Sequence, residues 1–236
     1  MMKPREAPHW RLLRFESGDP RLNLAVDEAI LKSVETGLVS NTLRLWRNPR
    51  SVVLGVSEED EDEVDLDACK RFGVQIVRRF TGGGTVYQDG GNLNWTVVVK
   101  REPSMFSEIR DISEIFWTFA KPISIALGRF GLKAELRLPA SILVDGMKIS
   151  GMAASIKRGA LLCHSSLLVN SDLSLMRRVL KNMKYPVANL RDLIGNETSP
   201  REIGEGIVRG FEHALDVELV EAEPLGDELE IAKSLI

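Results

Sequence analysis

The sequence predicts an α+β fold: a mixed, largely antiparallel sheet flanked by helices. Two observations predict it. Strand-like and helix-like runs are interleaved without a strict βαβ rhythm, which argues against an all-parallel sheet. A strand-rich block from residue 133 to 169 also contains Asp145-Gly146, a two-residue turn signal that joins neighbouring antiparallel strands.

The elements follow in order. Asp19-Pro20 reads as a helix N-cap followed by proline at the first helical position. Leu22, Ala25, Val26, Ala29, Ile30 and Val34 then recur at helical spacing, and Gly37 ends the helix. Leu43–Trp46 and Ser51–Gly55 read as strands around a turn at Pro49. Asp65–Phe72 is a short helix closed by Gly73, and Val74–Val77 is a strand. A second strand, Trp95–Val99, follows a glycine-rich loop. Ser107–Phe130 has helical period, with Pro122 expected to kink or split it and Gly131 to close it. Strands are expected at Lys133–Leu136, Ile142–Val144, Met147–Ala154 and Ala160–Val169. Helices are expected at Ser171–Met183 and Pro200–Leu215, the second opened by the Ser199/Glu202 capping-box spacing. Glu218–Ile236 is an acidic, weakly patterned tail.

The 236 residues fit one large domain or two small ones and suffice for a sizeable core. A net charge of −3 and 6% aromatic content exclude the basic footprint of a general nucleic-acid binder. No apolar run reaches membrane-spanning length, and Met1–Trp10 lacks the pattern of a signal peptide. With two cysteines, Cys69 and Cys163, a reduced cytoplasmic setting is the expectation.

The densest chemistry lies in residues 77–94, VRRFTGGGTVYQDGGNLN, which hold five glycines, two arginines and two asparagines. It has neither the lysine of a Walker loop nor the helix that opens after a Rossmann fingerprint. A strand–loop–strand with Gly82, Gly83 and Gly84 can still present backbone N–H groups to an anion. Arg78 and Arg79 alternate across a strand, so only one of them can face such a site. In MKISGM, residues 147–152, alternation places Lys148, Ser150 and Met152 on one face and Met147, Ile149 and Gly151 on the other. A lysine there can hold a carboxylate or phosphate during acyl transfer. Cys163-His164 pairs a thiol with an imidazole, but strand neighbours point apart, so Cys163 reads as core while His164 can line a site with Ser166. Glu58–Glu63 are consecutive carboxylates and read as a solvated acidic loop. No His/Cys cluster has zinc spacing.

These segments resemble the lipoate–protein ligase A family, a relative of biotin–protein ligases and octanoyltransferases. Arg78–Asn94 is similar to the family's R-R-x-x-G-G-G-x-V-x-H-D-x-G-N-L-N motif, with Gln88 where the family has His. Residues 144–153 resemble its G-x-K-[IV]-[SA]-G-x-A segment, 161–168 its L-x-H-x-[ST]-L-L strand, 23–29 its N-L-A-x-D-E-A helix start, and 187–190 a shortened V-x-N-L segment. The resemblance implies a single catalytic domain over 1–236 like those of class II aminoacyl-tRNA synthetases and biotin ligases. It implies that ATP and lipoate, with Mg²⁺, give lipoyl-AMP, from which the acyl group passes to a lysine of an E2 lipoyl domain or glycine-cleavage H protein. In that reading Lys148 contacts carboxylate and α-phosphate oxygens, the Gly82–Gly84 loop covers the acyl chain and phosphate, and Arg78 and Asn92 lie near the adenylate. Val86, Gln88, Ser150, Ala153 and His164 complete the binding site, and Asp89 contacts the acceptor lysine or a magnesium-bound phosphate. The resemblance leaves no room for the accessory C-terminal domain of longer ligases, so a small separate accessory subunit is expected. Two alternatives use the same residues: an octanoyltransferase working from acyl carrier protein through a cysteine, and a non-catalytic relative that binds lipoyl groups or partner domains.

Overall fold

The structure is a computed structural model describing residues 7–183, 185–195 and 198–236; the side chains of 60 and 61, inside the acidic run, lie outside the description. In chain order its elements are β1 (His9–Leu13), α1 (Pro20–Thr36), β2 (Thr42–Trp46), β3 (Ser51–Leu54), α2 (Asp60–Glu63), α3 (Leu66–Phe72), β4 (Gln75–Arg78), β5 (Val86–Gln88) and β6 (Asn92–Lys100). Then come α4 (Ile112–Gly128), β7 (Ala134–Arg137), β8 (Ser141–Val144), β9 (Met147–Ile156), β10 (Ala160–Leu168), α5 (Leu173–Val179), α6 (Leu190–Ile194), α7 (Pro200–Leu215), β11 (Glu218–Ala222) and α8 (Gly226–Lys233).

An eight-stranded sheet has the order β11-β1-β2-β6-β10-β9-β8-β7, and a three-stranded sheet the order β4-β3-β5. In the large sheet the β11–β1–β2 end is parallel and every other pairing antiparallel. The expected mixed α+β architecture is therefore the one observed. Its central strands β6 and β10 are covered on both faces, so successive residues enter different cores. Val97, Val99, Leu161 and Cys163 join α4 and α7 through Phe119, Ile123, Ile207 and Phe211. Val98 and Leu162 join α1 and α8 through Val26, Ile30 and Ala232. The small sheet packs onto the α1 side of the large one through Leu24, Trp46, Val53 and Val77.

The α1 caps form as expected: Asp19 accepts from the Arg21 N–H, and Gly37 adopts φ 76°. Asp145 and Gly146, at φ 49° and 76°, make the tight β8–β9 turn. Several expectations need correction. Helix α4 begins at Ile112, because Asp111 and Glu114 form a reciprocal capping box. It also runs through Pro122 unbroken; Phe119, Ile123 and Leu127 bury in the sheet core, and that packing outweighs a proline cost of about 3 kcal/mol. Helix α5 is shorter than expected, since Ser171 is tied to Asn189 and Leu180 bridges to Val64. The acidic run contains a helical turn, α2, where a loop was expected. The tail is ordered: β11 pairs with β1, and α8 buries Glu228 against Arg11 at 2.7 and 2.9 Å. Within the glycine-rich stretch, β5 adds a strand and β6 starts at Asn92, three residues before the expected Trp95.

Candidate active site

Strand β9 sets the first half of the site. Ile142 pairs with Ser150 while Leu143 pairs with Lys148, so Ile149 is an extra residue, a β-bulge. The bulge overturns the simple alternation. Ser150 turns away from Lys148 and bonds the Ser165 hydroxyl and the Ser166 carbonyl inside the fold. Lys148 instead shares a face with Gly151: a Cβ on Gly151 would lie 3.4 Å from the lysine Nζ and 3.8 Å from Val86 Cγ1. Glycine there leaves room for the ammonium beside the end of the glycine loop. The Lys148 backbone is held by residues 186–188, its N–H donating to Pro186 O at 2.8 Å and its C=O accepting from the Ala188 N–H at 3.2 Å. Segments distant in sequence thus meet at one lysine.

The glycine loop forms the second half. Gly82 to Gly84 are exposed, and Gly83, at φ 89°, packs toward Ala153. Its carbonyl approaches Gly55 so closely that a Cβ there would sit 2.0 Å from the oxygen. Arg79, not Arg78, holds the loop. Buried to 6% exposure, Arg79 donates through Nη2 to Gly82 O at 2.8 Å and Gly84 O at 2.9 Å, through Nη1 to Val53 O at 3.2 Å, and through Nε to Thr81 Oγ1 at 3.1 Å. Burial pushes the Arg79 pKa down to about 10. Arg78 turns to the loop after β3, donating to the carbonyls of Gly55 and Glu58 at 2.8 and 2.6 Å.

His164 lies below this loop. Its Nδ1 is 3.0 Å from Asp27 Oδ2, and its Nε2 is 2.8 Å from Thr81 Oγ1. Asp27 is fully buried and also accepts from Arg44 Nη1 at 2.6 Å and from the Thr96 hydroxyl at 2.7 Å. Burial opposes its charge, yet Arg44, His164 and Thr96 hold its carboxyl below the usual range. His164 was expected to touch ligand; the structure gives both its nitrogens to neighbouring side chains.

Three other expected site residues have internal partners. Gln88 is buried in an amide chain: its Oε1 accepts from Asn48 at 2.7 Å and its Nε2 donates to Asn94 at 3.1 Å, while Asn48 in turn accepts from Asn23. Its side chain links that chain from the Asn48 turn to β6. The Asp89 carboxylate accepts from the Gly91 N–H at 2.8 Å, the Asp172 N–H at 2.9 Å and the Tyr87 hydroxyl at 3.1 Å. Asn92, fully buried, accepts from the Asp89 N–H and the Ser171 hydroxyl and donates to the Ser166 hydroxyl. Both shape the turn into β6. With the Asp89 oxygens so engaged, that residue does not fit a metal ligand. Among the described residues no group of three or more His, Cys, Asp or Glu could hold a metal ion. Both thiols are buried, and burial pushes Cys69 up to about 11 and Cys163 well above its ordinary value.

Sequence reasoning missed Asp27, Thr81 and the loop-holding role of Arg79. Asp27 had a visible signal: it lies among Leu24, Val26, Ala29 and Ile30 on the buried side of α1, where a carboxylate needs a partner.

The frame is shared with known proteins. The family described as lipoyl protein ligase A/B catalytic domain matches residues 19–212. Lipoate-protein ligase A subunit 1 of Thermoplasma acidophilum is 34% identical, covering 95% of this chain and 91% of its own length. Lipoate-protein ligase LplJ of Bacillus subtilis is 28% identical over 84% of this chain, which spans 61% of that protein. Octanoyltransferase LipM of Anoxybacillus flavithermus is 28% identical, covering 93% of this chain and 91% of its own. A solved structure of a bipartite lipoate protein ligase and its E2 lipoyl domain from T. acidophilum has a TM-score of 0.87 at 33% identity, covering 97% of this chain and 92% of that one. Two more structures, one of a T. acidophilum protein with lipoic acid bound and one of a lipoate-protein ligase A with ATP bound, have TM-scores of 0.88 and 0.87 at 35% identity, each covering 96% of this chain and 94% of theirs.

Proposed function

This chain belongs to the lipoyl protein ligase A/B catalytic domain family, and from that premise we propose that it joins lipoate to ATP as lipoyl-AMP and then transfers the lipoyl group to a lysine of an acceptor domain. The observation that carries the reading is the meeting of Lys148 and Val86 within 4 Å of one point above Gly151, where the two halves of the site join. The lipoic acid and ATP held by the 35%-identical relatives support it.

In the first step a carboxylate oxygen of lipoate attacks the α-phosphorus, the bond to the bridging oxygen breaks, and pyrophosphate leaves. In the second the acceptor amine attacks the acyl carbon, the bond to AMP breaks, and the amine proton passes to solvent. Both steps concentrate negative charge on oxygens beside the carboxyl group. The Lys148 ammonium offsets that charge without reorganising. The acyl chain lies against the small residues Gly151 and Ala153, with Val86 beside them. Magnesium would offset charge on the nucleotide phosphates, and no group of three or more His, Cys, Asp or Glu among the described residues is placed to hold it.

The octanoyltransferase alternative draws on the LipM relatives, but it needs a thiolate. Neither cysteine supplies one near neutral pH: Cys163 is packed among apolar side chains and Cys69 titrates at about 11. A relative 34% identical to this chain is named as a subunit and one solved structure is of a bipartite ligase, which supports a separate accessory subunit as partner. The acceptor is an E2 lipoyl domain or an H protein.

ATP–pyrophosphate exchange with lipoate, octanoate and biotin, with and without an accessory subunit, tests this. Exchange that needs lipoate or octanoate supports the ligase. Absence of exchange with every acid, accessory subunit present, overturns it. Full exchange by the chain alone removes the partner from the proposal.

A further inference from the structure

The glycine loop takes its shape from below. Arg79 draws the Gly82 and Gly84 carbonyls onto one guanidinium nitrogen. A trans peptide is planar, with C=O and the following N–H pointing in opposite directions. The N–H groups of Gly83 and Thr85 are therefore turned away from the guanidinium. Neither donates to another described residue. The cation beneath polarises both peptides, which strengthens both donors. Gly83 and Thr85, two positions apart, thus offer two N–H donors on the side of the loop away from Arg79.

Arg79 is itself fixed by a chain of buried groups. Asp27 can only accept, so the proton between it and His164 sits on Nδ1. Thr81 Oγ1 meets His164 Nε2 on one side and accepts Arg79 Nε–H on the other. The chain runs from α1 through β10 to the loop without reaching the cleft.

We propose that Asp27, His164 and Thr81 are positioning residues that set Arg79, and through it orient the Gly83 and Thr85 N–H groups toward anionic oxygens of the acyl-adenylate. This rests on the ligase reading for its substrate but not for its geometry. Thr81→Val removes both hydroxyl bonds at nearly constant shape, Thr81→Ser keeps them, and His164→Asn keeps the Asp27 bond while losing the Thr81 bond. A displacement of about 1 Å in a positioned group costs on the order of 100-fold in rate. The expectation is a kcat for pyrophosphate exchange lowered about 10- to 100-fold in Thr81→Val and His164→Asn, with KM for lipoate little changed and Thr81→Ser near wild type. In ¹⁵N-labelled protein titrated with ATP, the Gly83 and Thr85 amide signals should shift in wild type and Thr81→Ser and stay unmoved in Thr81→Val. Should Thr81→Val not fold, His164→Asn supplies the same two readings. Wild-type kcat and shifts in both altered proteins, no amide shift in wild type, or failure of Thr81→Ser to restore them overturns the relay. Wild-type amide shifts without any lipoate-dependent exchange overturn the ligase reading alone.

Discussion

Cys163 and His164 are neighbours on β10, yet they lie in different physical worlds. Cys163 faces α4 and α7 in an apolar core with Phe119 and Phe211. His164 faces Asp27 and Thr81 in a connected polar layer. The same split divides Val97 from Thr96 on β6. A sheet buried on both sides can assign one face to cohesion and the other to a fixed polar scaffold, because strand side chains alternate. Chemistry then needs few exposed groups, since the buried ones hold them in place.

That division can be tested from both sides. Lys148→Ala should reduce lipoate-dependent pyrophosphate exchange by about 1000-fold, as expected for loss of a main charge-stabilising donor, while the melting temperature holds. An active Lys148→Ala protein would remove the proposed assignment. On the opposite face, Phe119→Ala should cost about 3–5 kcal/mol in urea unfolding, with KM and kcat of the folded fraction intact. A change in KM there would show that the two faces are not separable. Asp27→Asn tests the polar layer through pH. The Asp27 carboxyl is held below its ordinary 3.8, so its ionised form contributes stability that is complete above that value and lost as pH falls through the lower folded one. Urea unfolding at pH 7 and pH 3.5 should therefore show a smaller acid loss in Asp27→Asn than in wild type; an equal loss would place the acid sensitivity elsewhere. The smallest effect is expected of Cys163→Ser, which puts a hydroxyl in the apolar core. It should cost about 1–3 kcal/mol and leave exchange unchanged. Loss of octanoyl transfer from acyl carrier protein in a folded Cys163→Ser protein, with exchange intact, would revive the thioester route.

Much of this was legible in order along the chain. The α1 caps, the Asp145-Gly146 turn and the α7 capping box depend on residues within four positions of one another, so local chemistry specifies them. The glycine-rich stretch and Lys148 stood out because their composition and setting are costly unless used. The errors share a cause. Ser150 was assigned to the wrong face because a bulge depends on what β8 offers opposite. The strand β11 was missed because its partner β1 lies at the other end of the chain. The internal partners of Gln88, Asp89 and Asn92 were not legible either, because Asn48, Asp172, Ser171 and Ser166 lie tens of residues away in the chain.

By itself, the sequence determined the α+β class and the order of most elements, and it marked out the glycine-rich stretch by its composition. Those follow from periodicity, capping and composition, which act over a few residues. Only the tertiary structure decided which arginine holds the glycine loop, that His164 serves Asp27 and Thr81, and that Lys148 sits above Gly151. These depend on bulge, sheet pairing and burial, and a buried polar group takes its role from the partner that folding brings to it.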